Sequence, residues 1–137
     1  MSRAIPALAG VALALSCAAG HAVPAEAHKR AEVFATCAGR LAAMATRLHA
    51  LEDPGAAQAA RLSADFAALL EATLPAALEA GVPPAQPARW RAGGWREAAH
   101  LLAEVQYSFD AGRARRAEGA LEARLADCRA LVLRGTG

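Results

Sequence analysis

From about residue 25 onward, apolar positions in this chain recur at helical spacing. Phe34, Cys37, Leu41, Met44, Leu48 and Leu51 follow one another at three, four, three, four and three residues, which places them on one narrow face of a helix. Asp53, Pro54 and Gly55 supply its stop. A second segment, from about Ala56, carries Leu62, Phe66, Leu69, Leu70, Thr73 and Leu78. Pro75 has no backbone N–H to donate, so a kink or break is expected between Glu71 and Leu74, and Gly81, Val82, Pro83 and Pro84 end the element.

The stretch "PPAQPARWRAGGW", Pro83 to Trp95, reads as a linker by its prolines and its paired glycines, with helix resuming near Trp95. Trp95, Ala98, Leu102, Val105 and Phe109 then form a third stripe, broken at "SFDAGR". A fourth segment, about Arg113 to Leu133, aligns Ala114, Ala117, Leu121, Leu125, Cys128 and Val132. Four helices with one apolar stripe each are most economically buried as a small antiparallel bundle, an all-α fold. A merged third and fourth helix, giving a three-helix array, is the structural alternative.

The first twenty-two residues have a different pattern. Arg3 and the amino terminus precede an apolar run from Ile5 to Leu15, and small residues stand at Gly20 and Ala22, the arrangement of a secretory signal cleaved after Ala22. The domain expected to remain is residues 23–137. The apolar run falls short of the roughly 20 residues that span a bilayer, and no later segment of that length lacks charge, so no transmembrane segment is expected in the mature chain. Cys17 admits a second reading as the lipid-accepting residue of a membrane-anchored lipoprotein, but of Ala14, Leu15 and Ser16 before it only Ser16 suits that signal. Scarce lysine beside abundant arginine and alanine suggests a GC-rich bacterial genome and, with the signal, the periplasm.

Loss of Cys17 would leave Cys37 and Cys128 as an even pair in an oxidising space, for which a disulfide is the natural expectation. In an up-down-up-down bundle the first and last helices are antiparallel. The two cysteines would then be offset by about 9 Å at about 1.5 Å per residue, which uncertainty in the helix ends absorbs. Two separate buried thiols are the alternative. The stretch "CAGR", Cys37 to Arg40, with a second cysteine near the end, is similar to one in small secreted helical proteins of bacteria, a likeness that brings no function with it.

Composition narrows the chemistry. Fifteen basic against thirteen acidic residues give a net charge of +2, far from the concentrated basic face that nucleic acid requires, so no nucleic-acid partner is implied. Apolar residues make up 55% of the chain but aromatics only 4%, so the core is built largely of small side chains. No nucleophile elbow, phosphate loop or metalloprotease motif is present, and enzyme activity is not expected. Glu97, Glu104, Glu118 and Glu122 fit a solvated helix surface with arginines nearby. His49 and His100 fall on outward positions, Met44 faces inward as core filling, and no CxxCH haem-attachment motif occurs; neither cofactor nor metal is implied.

Two features suggest a partner. "RWRAGGWRE" places Trp90, Arg91 and Arg96 in the expected loop, and tryptophan and arginine are the residue types that most often dominate binding energy. Trp95 in the same stretch fits better as the start of the third core stripe. On the back of the first helix, Ala35, Gly39, Ala42, Ala43, Thr46 and Ala50 form a small-residue strip that a second helix backbone could approach closely, as in a homodimer or a partner-helix contact. These features fit a non-catalytic periplasmic bundle that acts as a protein-interaction or accessory module. The alternative is a small-ligand or metal-binding bundle using the loop with His100 or nearby carboxylates.

Overall fold

The computed structural model describes residues 25–133 and consists of four helices: α1 (Ala27–Ala50), α2 (Ala56–Glu79), α3 (Gln86–Tyr107) and α4 (Ala111–Leu133). No strand occurs among the described residues. The expected signal sequence, with Cys17, lies outside them. Short turns make successive helices antiparallel, and the Cys37–Cys128 disulfide joins the first helix to the last, with the two Cα atoms 5.6 Å apart. A third helix separate from the fourth excludes the three-helix alternative.

Why α1 sits at the centre follows from its composition. At about 100° per residue, its buried positions Ala31, Phe34, Ala35, Cys37, Ala38, Gly39, Leu41 and Ala43 sweep roughly two-thirds of the helix circumference, far more than one stripe. Small side chains on the back of the helix allow neighbours to close in from several sides. Helices α2, α3 and α4 all pack on α1, and α4 also packs on α3, but no Cα of α2 lies within 8 Å of one in α3 or α4. The bundle is therefore one helix with three others around it.

The core centres on Phe66 and Cys128, both fully buried, with the Phe34 ring 6.2 Å from that of Phe66. Ser63 is the one buried polar residue of the described core, and its Oγ donates a 2.8 Å hydrogen bond to the Ala38 carbonyl, fastening α2 to α1. Helix α2 runs unbroken through Pro75, so of the expected kink or break the break does not occur. Pro75 and Glu71 are both exposed, so the carbonyl that loses its donor can be solvated instead.

The turns are chemically specified. Gly81, at φ 93°, ends α2 in a Schellman motif in which its N–H donates to the Leu78 carbonyl and that of buried Val82 to Ala77. The same pattern ends α1, with Glu52 at φ 54° in the left-handed position. Asp110 caps α4: its carboxylate accepts from the backbone N–H of Gly112 at 2.7 Å and of Arg113 at 3.1 Å. The Arg113 and Gly112 donors hold this carboxyl below its ordinary range.

Candidate partner-binding surface

The stretch taken for a linker is helical. Helix α3 starts at Gln86, so Trp90, Arg91 and Arg96 project from a helix and not from a loop. Pro87 does not prevent this, because in the first turn its missing N–H would have no partner inside the helix. The reading of the glycine pair as a loop also fails, for a reason found at the contact with α1. A Cβ added to Gly94 would overlap the Thr36 carbonyl oxygen and stand 3.0 Å from its carbon. One added to Gly39 would overlap the Arg91 carbonyl oxygen and stand 2.8 Å from the Trp95 nitrogen. The two helices cross backbone to backbone, with a glycine on each side.

That crossing corrects the assignment of the small-residue strip. Ala35, Gly39 and Ala43 are buried and Ala42 is half-buried within the chain itself; Thr46 and Ala50, toward the end of the helix, are exposed. A helix backbone does approach Gly39, as its lack of a side chain suggested, but it belongs to α3 of the same chain. The strip is not available as a homodimer or partner surface at Gly39 and its buried neighbours.

The crossing also fixes the register of the tryptophans. With Gly94 facing α1, the inner face of α3 runs through Pro87, Gly94 and Ala98. Trp95 is turned outward and is 44% exposed, whereas Trp90 is partly buried against the core. The expected roles of the two rings are thus exchanged. Phe109, assigned to the same stripe, is fully exposed in the α3–α4 turn. Arg91 and Arg96 are exposed as expected, joined by exposed Arg89.

Glu97, read from the sequence as a solvated surface carboxylate, instead connects three helices. One oxygen accepts from Arg40 of α1, at 2.7 Å from Nε and 2.6 Å from the terminal nitrogen; the other accepts from Arg124 Nε of α4 at 2.9 Å. Partial burial raises the Glu97 pKa, but the hydrogen bonds and charges of Arg40 and Arg124 outweigh it and leave the carboxyl below its ordinary value. No sequence signal marks this site, because its partners lie 57 and 27 residues away. Glu104 makes a looser pair with Arg113 across the α3–α4 turn, at 3.4 Å.

Other concavities offer less chemistry. A groove of about 220 Å³ opens between α2 and α4, floored by Leu41, Met44 and Leu48 with Arg129 at its side. An open depression of about 590 Å³ lies beside Thr46, His49 and Asp53 at the α1–α2 turn. Among the described residues no three His, Cys, Asp or Glu side chains gather where they could hold a metal, and no helix is long and apolar enough to cross a membrane.

Fold and surface together define a disulfide-closed four-helix bundle with an exposed arginine–tryptophan face on its third helix. Comparison with protein-family models, curated proteins and solved structures yields no match.

Proposed function

We propose that this chain is a non-catalytic periplasmic bundle that binds another protein through the outer surface of α3, around Trp95, Arg91 and Arg96. The observation that carries the reading is the exposure of Trp95. The chain has two tryptophans and a core short of aromatic bulk, yet one indole is left 44% exposed, and Arg91 and Arg96 flank it without ion-pair partners among the described residues. A rigid indole beside guanidinium groups offers large contact area together with directed donors. The cationic face favours an acidic counterpart.

The test is quantitative co-purification from the periplasm of the native host, comparing the tagged wild-type chain with Trp95→Ala and with Arg91→Ala/Arg96→Ala. A specific partner is expected to fall by about tenfold or more with each variant, since a hot-spot truncation is worth about 2 kcal/mol. Equal capture by the wild type and both variants overturns the reading.

A further inference from the structure

Beyond Arg61 in its second turn, the charges of α2 and of the first half of α3 are segregated. From Leu62 to Ala88 the chain carries Asp65, Glu71 and Glu79 and no basic residue; from Arg89 to Arg96 it carries three arginines and no acid. All six of these side chains are on exposed residues, and none has an ion-pair partner among the described residues. Neither set pairs with the other within the chain, and α1 packs against both helices while every Cα of α2 stays more than 8 Å from those of α3. Each surface has the charge the other lacks.

Their spacing also agrees. Glu71 and Glu79, eight residues apart, rise by about 12 Å along α2, and Arg89 and Arg96, seven apart, by about 10.5 Å along α3. The difference is well within the reach of these side chains. Between the charges both outer surfaces are lined by exposed alanines, Ala72 and Ala76 on α2 and Ala92 on α3, which let two helices approach closely. Leu69 and Leu78, 41% and 43% exposed, are nine residues apart and so flank the outer face of α2 on opposite sides, where one of them can meet Trp95 of α3.

We infer that the occupant of the α3 face is a second copy of this chain, docked by the acidic outer face of its α2. This inference rests on the reading of α3 as the binding surface and names its partner. The contact joins unlike surfaces, so each molecule has one donor face and one acceptor face.

Sedimentation velocity on the full mature chain across a wide concentration range tests it. The wild type is expected to associate with rising concentration, and less so at high salt. Arg89→Glu/Arg96→Glu and Glu71→Lys/Glu79→Lys should each weaken association by about tenfold or more, and an equimolar mixture of the two should restore it. Circular dichroism checks that each variant folds, and recovery in the mixture is a second check, because misfolded chains would not regain a specific contact. A wild type that stays monomeric at every concentration overturns the second-copy inference alone, leaving the α3 reading to its own test with Trp95→Ala. Association that survives both charge reversals also overturns the inference; if Trp95→Ala captures every partner as well, the α3 reading falls with it.

Discussion

Helices α3 and α4 both lie against α1, but different forces hold them there. The α1–α3 contact is made of backbone: Gly39 and Gly94 meet the opposite chain so closely that neither position has room for a methyl group. The α1–α4 contact is smaller and is made by side chains: the Cys37–Cys128 disulfide joins the two helices directly, and Glu97 of α3 bridges them by accepting from Arg40 of α1 and Arg124 of α4. The first contact depends on shape and tolerates almost no substitution along its line. The second depends on a covalent bond and on the buried α4 side chains around it, Leu121, Leu125 and Leu131.

Removing the bridge is the strongest way to break this comparison. The loop it closes spans 91 residues, and the chain-entropy account assigns such a loop about 4 to 5 kcal/mol, of which measured cases often return less. Cys37→Ser/Cys128→Ser is therefore expected to lose about 3 to 4 kcal/mol in urea titration. Native-state hydrogen exchange should show the loss concentrated in α4, with α1 and α3 still protected together. Uniform loss of protection across all four helices would show that α4 is as integral as α3.

Gly39→Ala and Gly94→Ala attack the other contact. Alanine is the better helix former by about 1 kcal/mol, so on propensity alone both variants would gain stability. Here the added methyl meets backbone atoms, which cannot rotate away, and the helices must separate. A net loss of about 2 to 3 kcal/mol is expected for each. Unchanged thermal midpoints would show that the crossing can widen freely.

Glu97→Gln probes the smaller force at the junction of all three helices. The carboxylate is about a third exposed, so solvent screening limits its contribution, and a loss of about 1 kcal/mol is expected near neutral pH. The pH dependence gives the sign. A folded-state pKa below the ordinary value means that the stabilisation is fully present above about pH 4.3 and is lost as pH falls through the folded value. Stability curves of the wild type and Glu97→Gln should therefore converge on acidification, and a constant gap down to low pH would remove the ionic explanation.

The contrast between the helices also explains what the sequence disclosed. Stripes of leucine, phenylalanine and cysteine at three and four residue steps are visible wherever packing is done by large side chains, so α1, α4 and the disulfide could be read directly. Where packing is done by absent side chains, the signal reverses. Gly94 marks the inner face of α3 but scores as a helix breaker, which turned the first nine residues of that helix into a loop and put Trp95 one position out of register. Alanines on the back of α1 suggested a helix at close range without saying whose it was. Glu97 was hidden for another reason: an ion pair between helices has no characteristic spacing in the chain.

Two adjacent glycines give the finest version of the comparison. Gly93 and Gly94 share a helix, a backbone conformation and a residue type, but a Cβ on Gly93 meets nothing within 4 Å, whereas one on Gly94 meets Thr36. Any effect of helix propensity or of unfolded-chain entropy is the same at both sites, so the difference between Gly93→Ala and Gly94→Ala isolates the crossing itself. Gly93→Ala is expected to raise stability by about 0.5 to 1 kcal/mol, the opposite sign to its neighbour. Gly119→Ala on α4, where the added atom also meets nothing within 4 Å, should follow Gly93. If all three variants shift the denaturation midpoint in the same direction, then glycine at 94 is there for reasons unconnected with α1, and the backbone contact does not hold α3 in place.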